Sequence, residues 1–294
     1  MTTKTRKVRG KRTISNGSAK KSLIPREPVE PSGNLTDYCV FIFGAKGVGK
    51  TSLAAQFPGS VILQLEPRRR SLRVRQYEVR PMSIKELTRK GITDSPWTKI
   101  KEFIAEAIKD DTVDHICIDT ADKFYDAAFI HHCTKKGVEN PSECNDWGQT
   151  WDAIRWDVEE QVNKILYSDL GCLLTSNTKL RENEEDMEGT EFYAPTCKPA
   201  MWQILKAAAD YSFFYGFLSS KRVLRMRGSE ERYWLACGPE DHFLSPEGNR
   251  VETISMGVTS TEAYQQLTNS FKNKVQDISS PSPTKTMKKI RRGD

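Results

Sequence analysis

The stretch GAKGVGKT, residues 44–51, follows the apolar run CVFIF at 39–43 and precedes SLAAQF at 52–57. It fits the pattern G-x-x-x-x-G-K-[ST], whose glycines let successive backbone N–H groups turn towards bound phosphates. The context also fits, because such a phosphate-binding loop (P-loop) lies between a buried strand and the start of a helix. The stretch therefore predicts a nucleotide site. The alternative interpretation is a glycine-rich turn that binds nothing.

The residues predicted to bind the nucleotide, ATP, are Gly44, Ala45, Lys46, Gly47, Val48, Gly49, Lys50, Thr51 and Ser52. Lys50 is expected to be catalytic, since its ammonium group would reach the β and γ oxygens, and Thr51 is expected to bind Mg²⁺. Without a nucleotide, Lys50 is expected to face solvent. The positive end of the helix dipole would add to the attraction for phosphate.

Two acidic side chains follow predicted strands, at the edge where open α/β sheets bind their ligands. Asp119 ends the run Ile116-Cys117-Ile118, and we predict that it is catalytic and holds Mg²⁺ together with Thr51. A helix cap is the alternative role. Many P-loop ATPases place a glutamate directly after this aspartate, but here Thr120 follows. Glu66 ends the strand after the P-loop helix, so we predict that it activates the attacking water; an exposed loop glutamate is the alternative.

A third polar strand end follows the run at 172–175. There Ser176 or Asn177 would touch the γ-phosphate and report its loss to the next segment, so Asn177 is included among the predicted nucleotide-binding residues. A purely structural role is the alternative. The next segment, 179–198, is long and polar, and we predict that it is mobile.

Predicted strands and helices alternate through the central part of the chain. Strands are predicted at 39–43, 61–65, 116–118, 172–175 and 211–217, and helices at 50–57, 98–110, 121–135, 147–166 and 260–274. Two more strands, 222–227 and 232–237, are predicted to form a hairpin that turns at 228–231. Apolar strands joined by helices predict an α/β fold with a mostly parallel sheet, flanked by helices, and a C-terminal β-hairpin. Trp147, Trp151 and Trp156, in the predicted helix 147–166, are expected to pack in the core.

The composition is that of a globular protein with basic ends. The chain has 294 residues, of which 37% are hydrophobic and 29% charged, and its formal net charge is +6. Residues 1–36 carry a net +7 and residues 278–294 a net +4, which leaves −5 for the rest. Both ends are rich in Ser, Thr and Pro, which predicts disordered basic tails on either side of one domain at 37–277. Such tails would bind nucleic acid, or they would only be solvated.

The chain resembles the phage-type AAA/RecA-like P-loop ATPases over about residues 37–240. The segments that carry the resemblance are GAKGVGKT, VILQLE with Glu66 at its end, ICIDTAD, LLTSNTK, residues 193–199 and DYSFFYGF. The resemblance implies a RecA-like fold that binds ATP and Mg²⁺ and uses Glu66 to activate water. Gln64 in place of a frequent Asp, and the arginine run 68–70 in place of a glycine-rich turn, depart from the family pattern. They leave the rate of hydrolysis open.

Some members of that family are single-strand annealing recombinases, and this implies single-stranded DNA as a partner in recombination or replication. A homo-oligomer, or a complex with other recombination or replication proteins, is compatible with such a role. The seven scattered cysteines, the lack of an apolar run of eighteen residues and the lack of a secretory signal predict a cytoplasmic protein without a membrane partner. For a phage-encoded chain, this would be the cytoplasm of the host cell.

The candidate DNA-binding groups combine basic with aromatic residues, which suits single strands because their bases can stack. They are Arg68, Arg69, Arg70, Arg73, Arg75 and Arg80, the hairpin residues Lys221, Arg222, Arg225, Arg227, Tyr233 and Trp234, and the two tails. The segment 178–198 contains six acidic residues and is expected to repel phosphate. Solvated basic faces are the alternative, as is a hairpin arginine supplied to the nucleotide of a neighbouring subunit. A P-loop small-molecule kinase and an ATP-switched assembly factor without DNA binding remain open as other functions.

Overall fold

The computed structural model of the chain describes residues 30–67, 72–182, 191–218, 220–226, 242–274 and 278. Gly33 and the described residues after it form one compact unit. Apart from residues 30–36 and Ile278, the two predicted tails lie outside the described residues, so their disorder and the domain boundaries stay predictions. Arg68, Arg69, Arg70, Arg227, Tyr233 and Trp234 also lie outside the described residues.

The strands of the described residues are short and mostly buried. They are β1 (Cys39–Gly44), β2 (Ser60–Gln64), β3 (Arg75–Glu78), β4 (His115–Asp119), β5 (Gly171–Glu182), β6 (Glu191–Pro195), β7 (Tyr211–Leu218), β8 (Lys221–Arg225) and β9 (Thr253–Ser255). Every residue of β1, β2 and β4 is buried. Full burial on both faces explains why these three segments are continuous apolar runs rather than alternating ones.

Several of the helices begin or end at residues with known capping roles. They are α1 (Lys50–Ala54), α2 (Ile84–Lys90), α3 (Pro96–Lys109), α4 (Ala121–Lys136), α5 (Gln149–Leu166), α6 (Pro199–Ala208) and α7 (Ser260–Phe271). The Ser95 side chain accepts a bond from the Trp97 amide at the start of α3, and Gly137 ends α4 in the left-handed conformation. Thr259 and Glu262 form a capping box at the start of α7. No helix among the described residues is both long and apolar enough to cross a membrane.

The strands form one sheet with the order β3-β2-β4-β5-β1-β7-β8-β9, and β6 extends β5 on a separate hairpin. Neighbours from β3 to β7 are parallel, whereas β7/β8, β8/β9 and β5/β6 are antiparallel. Phe41 and Phe43 belong to a core that includes residues of α3, α4, α5 and α6. Val40 and Ile42 belong to a second core, which includes residues of α1 and α7. The predicted α/β fold, with a mostly parallel sheet flanked by helices, is confirmed.

One local prediction is corrected, and two others concern segments that the structure describes only in part. Residues 227–237 of the predicted hairpin lie outside the described residues, and over residues 223–225 β8 pairs with β7 on one edge and with β9 on the other. The predicted P-loop helix 50–57 is shorter and ends at Ala54. The segment 179–198 begins and ends in antiparallel strands, with Thr178 opposite Pro195, and its mobility stays a prediction.

The prediction that three tryptophans pack in the core is also wrong. Trp147 is 100% exposed, Trp156 61% and Trp151 40%. The buried face of α5 consists of Thr150, Ile154, Val158, Gln161, Val162 and Ile165. Trp156 follows Ile154 by two residues, which places it on the opposite side of the helix, and Trp147 precedes the helix.

The buried histidine of β4 predicts how stability depends on pH. His115 is fully buried beside the ring of Phe57, with 4.5 Å between centroids, and burial lowers its pKa to about 3. In the unfolded chain its pKa is about 6.5. Below pH 6.5 the unfolded state therefore binds more protons, so stability is lost as the pH falls, by about 1.4 kcal/mol per pH unit at most from this residue. We expect His115→Leu to flatten the pH dependence of chemical denaturation between pH 6.5 and pH 4; equal slopes in both proteins would contradict this.

Candidate nucleotide site

Strand register brings the predicted site residues to one edge of the sheet. Gly44 lies opposite Asn177 across the β1/β5 pair, and Asp119 lies opposite Thr175 across the β4/β5 pair. Gln64 lies opposite Asp119 across the β2/β4 pair. Because these strands are parallel, their carboxyl ends meet in one crevice, which is where open α/β sheets bind ligands.

The crevice is a polar cleft beside the P-loop. Its lining consists of Lys46, Gly47, Gly49, Lys50, Thr51, Ser52, Gln64, Glu66, Pro67, Asp119 and Asn177. All but Gln64 and Pro67 were predicted as site residues. Three predicted nucleotide-binding residues, Gly44, Ala45 and Val48, are not part of this lining, and the Val48 side chain is buried in the core shared with α1.

The first glycine of the pattern is needed by the sheet. At Gly44, β1 passes between β5 and β7, and a Cβ atom placed there would overlap the carbonyl oxygen of Tyr215 on β7. The last glycine is needed by the turn, since Gly49 has φ 109° directly before α1. That left-handed conformation favours glycine.

The prediction that Lys50 faces solvent without a nucleotide is wrong. Lys50 is only 7% exposed. Its Nζ donates to the carbonyl oxygens of Gly44 (2.8 Å) and Ala45 (3.2 Å) and to Oδ1 of Asn177 (3.1 Å). The ammonium group is therefore held inside the loop by neutral acceptors, and an anion in the loop would be a stronger partner.

Asp119 contacts the P-loop helix directly. Its Oδ2 accepts from the Thr51 hydroxyl at 2.6 Å, and its Oδ1 accepts from the Thr175 hydroxyl at 2.6 Å. The alternative role as a helix cap is excluded, because α4 is preceded by Thr120 and no side chain caps it. Thr175 was missed by sequence reasoning; only its position two residues before Asn177 on an adjacent strand could have indicated it.

Glu66 and Lys50 are joined through an amide. Asn177 Nδ2 donates to Glu66 Oε1 at 3.1 Å, while Asn177 Oδ1 accepts from Lys50. The side chain of Gln64, 5% exposed, donates to the backbone carbonyl of Glu66 at 3.2 Å and supports the turn that carries it. Glu66 thus lies in the cleft, as predicted, and contacts the residue predicted to sense the γ-phosphate.

Ser176 has a different role from Asn177. Its hydroxyl donates to Asp122 Oδ2 at 2.8 Å, and the Thr196 hydroxyl donates to Asp122 Oδ1 at 2.5 Å. Thr196 N also donates to the carbonyl of Asn177 at 2.9 Å. None of Ser176, Asp122 and Thr196 lines the cleft, and their hydrogen bonds join α4 to the base of the β5/β6 hairpin.

The donor atoms of Thr51 and Asp119 fit Mg²⁺. Mg²⁺ prefers oxygen ligands, and this site offers a hydroxyl and a carboxylate. Asp119 is 4% exposed, and among the described residues it forms no ion pair, only hydrogen bonds to hydroxyl groups. A buried carboxylate without a counter-charge is costly, so a cation bound here would compensate it.

Two of the described candidate DNA-binding arginines form ion pairs. Arg75 pairs with Asp110 (3.3 Å), and Arg80 pairs with Glu86 (3.4 Å). Lys221 is exposed on β8. Arg222 lies against Gly49 of its own chain rather than in the open.

Comparison with known proteins identifies the domain. The AAA domain family matches residues 36–233, which is two thirds of the chain. The chain belongs to the AAA domain family. Among solved structures, a KaiC-like protein from the hyperthermophilic archaeon Pyrococcus horikoshii OT3 is similar, with 15% identity and a TM-score of 0.40 over 75% of this chain and 89% of that one. No curated protein matches the chain at a significant level.

In this AAA domain, the close approach of β7 to Gly44 predicts that a side chain added at this position destabilises the fold. A Cβ at Gly44 overlaps the β7 backbone, so we expect Gly44→Ala to lower the free energy of unfolding by about 3 kcal/mol. Gly33→Ala is the matched control, since nothing lies within 4 Å of the added atom, and its effect should be within about 0.5 kcal/mol. Urea denaturation without nucleotide measures both. Equal stability of the two variants would contradict the packing role of Gly44.

Proposed function

We propose that the protein is an ATP-hydrolysing, RecA-like P-loop ATPase. The observation that carries the proposal is the pair of contacts around the P-loop: Thr51 to Asp119, and Lys50 through Asn177 to Glu66. A cation ligand pair, a phosphate-binding lysine and a carboxylate base are the groups that phosphoryl transfer to water requires. All of them line one cleft.

Each residue has a defined task in this proposal. The loop backbone and Lys50 bind the phosphates, and Thr51 and Asp119 hold Mg²⁺, which neutralises charge on the phosphate oxygens. Glu66 accepts a proton from water as the water oxygen bonds to the γ-phosphorus and the bond to the bridging oxygen breaks, giving ADP and phosphate. Asn177 keeps the Glu66 carboxylate in position.

We expect Glu66→Gln to bind ATP with nearly unchanged affinity and to lose hydrolysis by about 100-fold or more, since it keeps the shape and removes the base. Asp122→Asn is the matched control, because Asp122 is bonded to Ser176 and Thr196 and does not line the cleft, and its rate should stay within about threefold of the wild type. Lys50→Ala should lose both binding and hydrolysis. Phosphate release and ATP titrations measure these effects. A Glu66→Gln protein that hydrolyses ATP normally would contradict the role of Glu66.

We further propose that the protein uses ATP to act on single-stranded DNA. It would do so in recombination or replication, in the cytoplasm of a phage host. The resemblance in sequence and the basic chain ends support this partner. The structure supports a route for coupling: β5 runs from Asn177 directly into the β5/β6 hairpin, and Thr196 at the end of that hairpin bonds back to Asn177. A change at the γ-phosphate would therefore reach an element at the surface.

A small-molecule kinase is less well supported. Its arginine lid would have to come from the segment 68–80, and within the described part of that segment Arg75 and Arg80 form ion pairs with Asp110 and Glu86. If the protein is instead an assembly factor that uses ATP without DNA, the rate of ATP hydrolysis should not change when oligo-dT is added.

We expect the basic ends to carry much of the affinity for DNA. Residues 1–36 and 278–294 have a net +11 that the rest of the chain lacks, so deleting 1–34 and 279–294 should weaken oligo-dT binding and reduce its salt dependence. Thermal stability should change little, because these segments have few apolar residues. A full-length variant with the Lys and Arg residues of both ends changed to Gln controls for chain length. Unchanged affinity and salt slope after deletion would contradict the proposal.

A further inference from the structure

An aromatic and a basic residue face each other beside the P-loop. Phe217 on β7 and Arg222 on β8 are directly opposite in the antiparallel pair, so their side chains lie on the same face of the sheet. Tyr215, two residues before Phe217, belongs to the core shared with α1. Phe217 and Arg222 therefore lie on the α1 side, at the end of the sheet where the P-loop begins.

Arg222 lies against the P-loop backbone. A Cβ atom placed on Gly49 would be 3.7 Å from Arg222 Nη1 and 3.9 Å from the Tyr215 hydroxyl oxygen. The Nε of Arg222 is buried, and among the described residues it has no hydrogen-bond acceptor. Burial raises the pKa of Tyr215, and the adjacent guanidinium opposes this rise. A buried guanidinium edge without an acceptor is unusual and indicates a partner that is not part of the fold.

Phe217 is unusually exposed for this strand. Phe213 and Tyr215 on the same face are 0% exposed, whereas Phe217 is 56% exposed. Phe217 lies two residues beyond Tyr215 on β7, and Tyr215 is the partner of Gly44 at the end of β1. An exposed ring next to a guanidinium provides a flat surface on which a nucleobase can stack.

The two sides of the P-loop differ in chemistry. The groups for the γ-phosphate and Mg²⁺, namely Glu66, Asp119 and Asn177, come from the turn after β2, from β4 and from β5, on one side of β1. Phe217 and Arg222 come from β7 and β8, on the other side of β1. A nucleotide whose terminal phosphates lie near Asp119 has to extend its nucleoside away from those carboxylates.

We propose that Phe217 and Arg222 bind the nucleoside end of the nucleotide, with the base stacked on the Phe217 ring and the Arg222 guanidinium. This inference rests on the proposed nucleotide site and adds the position of the base. It also gives Arg222, a candidate DNA-binding residue, a role within its own chain. Arg222 then contributes to the nucleotide site of this chain, instead of to DNA or to a neighbouring subunit.

The test compares a ligand that has a base with one that lacks it. Isothermal titration of the full chain with Mg-ADP and with Mg-tripolyphosphate separates the nucleoside from the phosphates. We expect Phe217→Ala to weaken ADP binding about tenfold and to change tripolyphosphate binding by less than about twofold. Arg222→Met should weaken ADP binding about tenfold and tripolyphosphate binding by less than that, because the guanidinium also lies near the loop. Phe217→Trp should retain ADP binding, because it keeps a stacking surface. Lys221→Met is the matched control, since it removes a positive charge from the neighbouring position of β8, which faces the other side of the sheet.

The other outcomes contradict the proposal in different ways. Unchanged ADP affinity in Phe217→Ala and Arg222→Met would overturn it. Equal loss of ADP and tripolyphosphate binding would also overturn it, since the residues would then support the P-loop itself. Weaker oligo-dT binding with unchanged ADP binding would assign the pair to DNA instead. A wild-type chain that binds neither ADP nor tripolyphosphate would contradict the nucleotide site as a whole.

Discussion

The contact between the Thr51 hydroxyl and the Asp119 carboxylate depends on strand register, because the two residues are 68 positions apart in the chain. β1 carries the P-loop, β5 lies next to β1, and β4 lies next to β5. The Thr175 hydroxyl of β5 holds the other oxygen of Asp119 and so fixes the carboxylate from the neighbouring strand. A slip of one residue in either pairing would turn Asp119 to the opposite face of the sheet and remove the cation ligand from the loop.

The same register restricts the P-loop on its other side. Gly44 is paired both with Asn177 on β5 and with Tyr215 on β7, and the backbone of β7 leaves no room for a side chain there. The loop is therefore held between a strand that brings the polar groups of the cleft and a strand that brings an aromatic face. A nucleotide has two parts that match these two sides: charged phosphates, which suit the polar groups, and a flat apolar base, which suits the aromatic face.

Local patterns predicted the parts of the site that are encoded within a few residues. The P-loop, Asp119, Glu66 and Asn177 lie at the ends of strands whose apolar runs are visible in the sequence, and the structure brings these residues to one cleft.

Thr175 could not be predicted, because a threonine inside a strand gives no sign of its role until the neighbouring strand is known. The partner of β8 depends on long-range pairing in the same way. The predicted burial of Trp147 and Trp156 is wrong because Trp147 precedes α5 and Trp156 does not share the spacing of its buried residues. Helix α6 was missed, although Pro199 at its first position and the apolar Met201, Trp202, Ile204 and Leu205 are helix signals.

In the proposed function, the side-chain amide of Asn177 joins phosphate binding to a response. One amide both accepts and donates, so it bonds to the Lys50 ammonium and to the Glu66 carboxylate at once; a carboxylate at this position would repel Glu66, and a hydroxyl would be too short. A phosphate bound in the loop would compete with Asn177 for Lys50, because an anion is a stronger acceptor than an amide oxygen. Asn177 would then lose one of its two partners and stay bonded to Glu66. Since the backbone carbonyl of Asn177 accepts from Thr196 at the base of the β5/β6 hairpin, occupancy of the loop would change the forces on Glu66 and on the hairpin through a single residue.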